Sequence, residues 1–484
     1  MPKQPEQQPD EEEERVPPVL SNRPFLLLWL AQIISQTAQN AILFALIIII
    51  LDLTDSAAST SFVVLAFVAP TIVFGIFSGI LTDRWSKRRL LILTNAGRAV
   101  TAIAFLFAYQ EVWLLYAVTV VFSSFSQLFT TANAASIPFM VSRRQLISAN
   151  TLFSGAFTMA QIAGLIVLSP LILKAAGPRV LFATAAVVFL IATVLTNFLP
   201  YIGSQGEEES DRPFPGRAEL RGAVAEFGTA LRTLLAEPRS TMAMAHITIS
   251  STLILLFAIL VPRHMQAVLE VRPDNAVAIF APVAFGALLG LRMVPVVVSR
   301  LGQTRTVAAG LFGLAVFLSA LGSVELIAIA LERTEQFNPF AKDGTTERVF
   351  GLSILVALTM AIAGPMGFAY AMLNTPAQTT LHERTPVDMR GRVIASQMVL
   401  ANGVALIPLV VAGGIADLYG VSTVVLAIGA FMAIAGAASL YVERKWLQGQ
   451  NGDPPTPGGS ETQPDQEPNG VPDSIDSTEA VRLD

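Results

Sequence analysis

Gly79-Ile-Leu-Thr-Asp-Arg-Trp-Ser-Lys-Arg-Arg-Leu-Leu91 is a short charged turn set between two long apolar runs. Thr60 to Thr82 carries no charge; Asp83, Arg84, Lys87, Arg88 and Arg89 then fall within seven positions, and from Leu90 to Tyr109 only Arg98 is charged. Runs of that kind joined by such a turn fit two helices in lipid with the turn outside it.

Composition extends this reading to the whole chain. Of 484 residues, 53% are hydrophobic and 14% charged, and the mean hydropathy is +0.59. That is far more apolar than a soluble domain, so an all-α membrane protein is expected. The absence of Cys excludes disulfides, thiolate metal sites and Cys nucleophiles, and three His argue against zinc chemistry. The net charge of −5 comes partly from acidic tails and says little about partners.

Apolar runs long enough to cross a bilayer, about 20 residues each, lie near 25–50, 60–82, 90–109, 112–137, 149–173 and 179–201, and again near 240–262, 275–298, 306–331, 350–373, 390–416 and 421–442. Twelve transmembrane helices in two sets of six are therefore predicted. The expected organisation is a disordered acidic tail at 1–24, a six-helix bundle at 25–201, a linker at 202–239, a second bundle at 240–443 and a disordered tail at 444–484. The N-terminal tail lacks the basic start and short apolar core of a signal peptide, so the first span must act as its own insertion signal. In the linker, Leu220, Val224, Phe227, Leu231, Leu234 and Leu235 recur at helical spacing, which suggests an interfacial amphipathic helix or a plain helical tether.

Lys and Arg set the orientation. With the N-terminus in the cytoplasm, inside segments hold Arg23, the Arg84 to Arg89 cluster, Arg143, Arg144, five Arg from Arg212 to Arg239, Arg300, Arg305, Arg384, Arg390, Arg392, Arg444 and Lys445. Outside segments hold Lys174, Arg179, Arg263, Arg272, Arg333, Lys342 and Arg348. A multi-pass cell-membrane protein with both termini in the cytoplasm is the expectation.

The halves echo one another. Ser299-Arg300-Leu301-Gly302-Gln303-Thr304-Arg305, after the eighth span, corresponds to Asp83 through Arg89 after the second. Ser142-Arg-Arg-Gln145 before the fifth span corresponds to Thr385-Pro386-Val387-Asp388 before the eleventh, each a potential helix cap. Repeated halves imply a pseudo-two-fold axis along the membrane normal and a cavity between them.

The turn resembles the signature loop of the major facilitator superfamily, Gly-x-x-x-Asp-Arg-x-Gly-(Arg/Lys)-(Arg/Lys), at Gly79, Asp83, Arg84, Lys87 and Arg88; it departs at Ser86, where the family prefers Gly. The resemblance covers roughly residues 24 to 443. Two further stretches are similar to the drug and siderophore exporter branch, which includes the enterobactin exporter and macrolide efflux proteins. They are Ile137-Pro138 with Leu146, Ala149 and Asn150, and Asn374-Thr375-Pro376-Ala377-Gln378 leading to Arg390-Gly391-Arg392-Val393.

The family resemblance implies that Asp83 docks on the start of the eleventh span when the cytoplasmic side is shut and leaves it when that side opens. A carboxylate gains on the order of 0.3–1 kcal/mol at a helix start. Arg84, Lys87, Arg88 and Arg89 would hold that contact in register or meet lipid phosphates. A topology anchor alone would explain the basic residues but neither Asp83 nor its spacing from Gly79. Arg390, Gly391 and Arg392 belong to the same gating motif.

Polar residues within the spans are the cavity candidates: Gln36, Gln39, Asn40, Gln127, Asn133, His246, Asn374, Gln378, Gln397 and Asn402. The alternative for each is an interhelical hydrogen bond worth roughly 0.6 kcal/mol. Two cations lie inside spans: Arg98, about two turns into the third and within snorkelling reach of the cytoplasmic face, and Arg292, comparably deep in the eighth, where it could face the cavity or neutralise an anion.

No carboxylate stands at mid-depth in the first or fourth span, and the fifth, with Gly155, Gly164 and Pro170, lacks the full Gly-Pro motif linked with antiporters. Proton coupling is thus an expectation from the superfamily, not a reading of these residues. The leading expectation is a secondary exporter of an amphipathic organic molecule, drug-like or siderophore-like, working by alternating access as a monomer without cofactors or a nucleic-acid partner. The competing ones are a nutrient or lysolipid importer, and a receptor or scaffold that no longer transports. No nucleophile, metal cluster or phosphate-binding loop marks an enzyme or an ATP-driven pump.

Overall fold

A computed structural model describes residues 18–142, 145–200, 222, 225, 228–229, 232, 236–271, 276–333, 354–384 and 390–451. These residues are helical almost throughout. They form α1 (Arg23–Thr54), α2 (Ala57–Arg84), α3 (Lys87–Ala108), α4 (Val112–Met140), α5 (Leu146–Gln161) and α6 (Ser169–Asn197) in the first half. The second half holds α7 (Pro238–Ala267), α8 (Ala276–Leu301), α9 (Gln303–Gly322), α10 (Val324–Arg333), α11 (Ile354–Arg384), α12 (Arg390–Tyr419) and α13 (Val421–Asn451). Among the described residues eleven helices are long and apolar enough to cross a membrane.

The fifth span accounts for the difference from twelve. It is divided among α5, a π-helical segment at Ile162–Leu168 and the first turns of α6, which breaks at Gly177 with φ 78° before Pro178. The π segment lies against α1 at Gly164, where a Cβ would come within 2.3 Å of the Thr37 carbonyl oxygen. Only glycine permits that approach. The ninth span is likewise split, into α9 and α10 around Ser323. Helix α13 runs past residue 443 to Asn451, beyond the expected start of the tail. The linker's apolar positions and residues 385–389 lie outside the described residues.

α1 starts where Asn22 caps the Phe25 N–H and ends at Asp55, a non-glycine residue with φ 47°. From Asn40 to Leu51 every residue is buried, because α2, α4, α5, α6 and α7 all pack on this helix. An all-round apolar helix belongs in such a place. Before α5 the predicted pair Ser142 and Gln145 meets in one direction: the Ser142 N–H and hydroxyl both donate to Gln145 Oε1, at 3.2 and 3.1 Å, while the Gln145 N–H donates to the Ser142 carbonyl at 2.9 Å.

In the first half, α3, α4 and α6 meet through aromatic rings. Phe105 stacks on Phe182 at 5.1 Å between centroids, and Phe122 meets Phe105 and Phe189 edge-on. Such contacts add about 0.5–1.5 kcal/mol each beyond burial. The second half uses backbone proximity instead. A Cβ on Gly286 would fall 1.8 Å from the Gly364 oxygen, and one on Gly367 would fall 2.0 Å from the Val283 oxygen, so α8 and α11 touch main chain to main chain. Lipid supplies no hydrophobic drive between helices, and small residues let dispersion supply it.

Among the described residues, those up to Leu440 form one compact unit and those from Tyr441 onward belong to a second. Within the first, the two halves meet chiefly through α2 on α12, with smaller contacts of α7 on α1 and α2 and of α8 on α6 and the π segment.

Candidate functional site

Trp85 and Ser86 form the whole turn between α2 and α3, closed by Trp85 N–H to Leu81 O at 2.9 Å and Leu90 N–H to Ser86 O at 3.1 Å. Lys87 is buried; its ammonium donates to Thr82 O at 3.5 Å and stands 4.7 Å from the centre of the Phe139 ring. Arg88 donates to Asn197 O at 2.6 Å, at the end of α6. Both cations therefore brace the turn against their own half. Asp83 and Arg84 close α2, and Arg390, Gly391 and Arg392 open α12; the side chains of these residues, and the surroundings of Gly79, lie outside the described residues.

At the opposite end of the same two helices, here the far end, the halves are joined by a carboxylate. Asp417, in the last turn of α12, accepts from Ala57 N–H at 2.7 Å, Ala58 N–H at 2.9 Å and the Ser56 hydroxyl at 2.7 Å. The Ser56 hydroxyl in turn accepts from Ser59 N–H at 3.1 Å. The first turn of α2 thus has three of its free N–H groups satisfied, two of them from the other half. Asp417 is unfavourable at the carbonyl end of its own helix and favourable at the N–H end of the next.

Other contacts close the same end. Arg263 of α7 pairs with Asp55, and Gln266 donates to Asp52 at 3.0 Å. A Cβ on Gly413 would lie 2.0 Å from Ser61 Oγ and 2.8 Å from Ala57 O, so α12 and α2 touch there without side chains between them. About 15 Å back along α12, a Cβ on Gly403 would meet only Ile72 Cδ1, at 3.8 Å. The two helices are tight at the far end and looser toward their middle.

The polar residues of the first half come together inside the bundle. Asn133 donates to Gln32, Ser35 donates to Asn95 Oδ1 at 3.1 Å, and Asn40 Nδ2 donates to Gln36 O at 2.8 Å. Arg98 does not snorkel, contrary to the expectation from its depth. It is fully buried, donating to Asn95 Oδ1 at 2.6 Å and Gln39 Oε1 at 3.2 Å, with its guanidinium 3.9 Å from the Phe129 ring centre and 4.7 Å from that of Phe189. Its helix face turns into the bundle, where α1, α4 and α6 supply oxygens and ring faces in place of water. Gln127 and Gln39 are half-buried, while Gln36, Asn40 and Asn133 are buried.

In the second half, His246 is hydrogen-bonded to Ser439 at 2.6 Å, and Ser250 donates to Asn374 Oδ1 at 3.0 Å. Gln397 is buried; Asn374, Gln378 and Asn402 are half-buried. Arg292 is exposed on α8 between Leu291 and Met293, away from the Gly286 and Gly290 face that meets α11.

Asp417, Asp55, Arg263 and His264 are absent from the sequence candidates. A usable signal was the sign of the charge: Asp417 and Asp55 stand at carbonyl ends of helices, where an acid is disfavoured unless something else holds it.

The family model of the Major Facilitator Superfamily matches residues 28–331. YfiS, an MFS-type transporter of Bacillus subtilis (strain 168), is 24% identical over 432 residues, 87% of this chain and 94% of its own. The multidrug efflux pump Tap of Mycolicibacterium fortuitum is 22% identical over 433 residues, 87% of this chain and 96% of its own. The lysophospholipid transporter LplT of Yersinia pestis (strain Pestoides F) is 25% identical over 232 residues, 47% of this chain and 53% of its own. Among solved structures, a POT family transporter in complex with 5-aminolevulinic acid superposes with a TM-score of 0.67 at 10% identity, covering 88% of this chain and 96% of that one. With its apolar helices and a matching fold, the chain is a multi-pass membrane transporter, not an enzyme, and it belongs to the Major Facilitator Superfamily.

Proposed function

We propose that this transporter exports an amphipathic small organic molecule from the cytoplasm by alternating access, driven by an ion gradient, with 25–201 and 240–443 rocking as two bundles. The observation that carries the reading is the far-end seam, where Asp417 of one half holds the first turn of α2 of the other. Its contacts are polar and few, so they can form and part. The loop end of the same helix pair carries Asp83 and the start of α12, an arrangement that fits the reciprocal contact. The excess of Lys and Arg supports a loop end on the cytoplasmic side of the cell membrane and a seam on the outer side. Efflux is favoured by the likeness to Tap along almost the whole chain.

A second reading, import of a lysophospholipid, draws on the likeness to LplT over about half of the chain. Accumulation of ethidium and of a labelled lysophospholipid in cells with and without the protein, with and without a protonophore, separates them. Lower ethidium accumulation that the protonophore abolishes is the expected result; higher lysophospholipid accumulation supports import, and no change in either defeats both. Asp83→Asn at equal membrane abundance is expected to lower transport, and unchanged transport removes Asp83 from the gate.

A further inference from the structure

Below the far-end seam, inside the second half, α7, α8, α9, α11 and α13 enclose a cavity of about 50 Å³, room for a few waters at roughly 10–15 Å³ each. Its wall is apolar apart from two groups, His264 and Thr359. His264 is 4% exposed and Thr359 3%. Both ring nitrogens of His264 and the hydroxyl of Thr359 lack a hydrogen-bond partner among the described residues. A neutral imidazole offers one donor and one acceptor, and leaving both unpaired in an apolar chamber is unfavourable. Three such atoms around a space of that size are what ordered water requires.

Position gives the pocket a role. His264 follows Arg263, which crosses to Asp55 and closes the far end. Consecutive residues of a helix point about 100° apart, so one side chain reads the seam while the next reads the interior. We propose that this pocket holds water on His264 and Thr359 and that His264 is the coupling-proton site, a reading that rests on the ion-driven transport proposed above. When the far end opens, the pocket's water joins the outer solution and a proton from it binds at the unpaired ring nitrogen. When it closes, the ring is returned to an apolar wall, the cation is disfavoured, and the same proton leaves to water on the loop side. Each cycle then carries one proton inward.

The surroundings are simple. From α8, α9, α11 and α13 the groups facing the pocket are Val283, Leu321, Thr359 and Val425 with further apolar side chains, none of them titratable. On α7 itself the neighbouring charge is Arg263, turned to Asp55, and His246 lies about five turns away, bonded to Ser439. The acids of the seam, Asp52, Asp55 and Asp417, all remain in a variant that lacks only the His264 ring, so that variant separates their pH response from the ring's.

The chain has no Cys, so a single thiol reports the seam. Ser61→Cys, buried under Gly413, is labelled with a maleimide in the full-length protein, and its rate is divided by that of Gln110→Cys, an exposed reference on the α3–α4 turn. Between about pH 8 and 5.5, across the ordinary imidazole pKa of about 6.5, the ratio is expected to rise about five-fold. His264→Gln is expected to flatten it at unchanged thermal stability, and Thr359→Val to weaken the rise. A pH response that survives in His264→Gln overturns the proposal. So does a flat ratio with His264 in place while a protonophore still abolishes ethidium export, a result that leaves the export reading standing. If His264→Gln fails to fold, His264→Asn takes its place with the same two outcomes.

Discussion

The two ends of the α2–α12 pair pose the same problem with opposite polarity. At the far end α12 finishes and α2 begins, and Asp417 of the finishing helix lies on the N–H groups of the beginning one. At the loop end α2 finishes with Asp83 and α12 begins at Arg390. One antiparallel pair therefore has, at each end, an acid on the helix that stops and free N–H groups on the helix that starts. On the alternating-access reading proposed above, closing one end levers the other. The difference lies in the support: Lys87 and Arg88 brace the loop-end turn within its own half, whereas Arg263 and Gln266 brace the far end across the halves.

Substitutions that break this comparison can be ranked. Gly413→Val has the largest expected effect: its Cβ alone would lie 2.0 Å from Ser61 Oγ, so the far end cannot close. Overpacking of this kind costs about 1–3 kcal/mol or more. Transport should fall at least about ten-fold with the protein still in the membrane, and the Ser61→Cys thiol should become reactive. Asp417→Asn comes next, with a loss of about 1 kcal/mol from the closed seam and a roughly five-fold rise in labelling of the same thiol. Asp83→Asn is expected to move that labelling the other way by a similar factor, because it frees the loop end. The double variant should return the labelling toward wild type; if the two changes act in the same direction, the lever is wrong. Arg263→Gln has the smallest effect, about 0.2–1 kcal/mol, since the pair is largely exposed on the Asp55 side. That effect should fade as salt rises from roughly 0.1 to 1 M.

The fold was legible wherever hydropathy decides it. Apolar runs bounded by charged turns mark where α1 to α4 begin and end, because lipid demands about 20 uncharged residues per crossing. The fifth span was not legible as a broken helix, since Gly164 matters only through Thr37 on a helix it meets in space. Arg98 shows the same limit: position along a helix gives depth in the membrane, but not which face turns inward. Asp83 could be singled out from its neighbours in sequence. Asp417 offered only the weaker signal of an acid at the carbonyl end of its helix, and what it holds was hidden because its partners lie about 360 residues away. His264 escaped for a different reason: what marks it is a lack of partners, and sequence does not display a lack.

Arg98 also has an effect at a distance. Among the described residues no carboxylate neutralises its guanidinium; amide oxygens and ring faces surround it. An arginine stays charged at any working pH, so the first half holds a fixed positive source in a weakly screening interior. At an effective dielectric constant near 20, such a source changes the energy of a unit charge about 10 Å away by on the order of 1–2 kcal/mol. A transport path passing at such a distance would repel a cation by that amount and attract an anion. On the reading proposed above, the first half would then bias the cargo by charge before any side chain touched it.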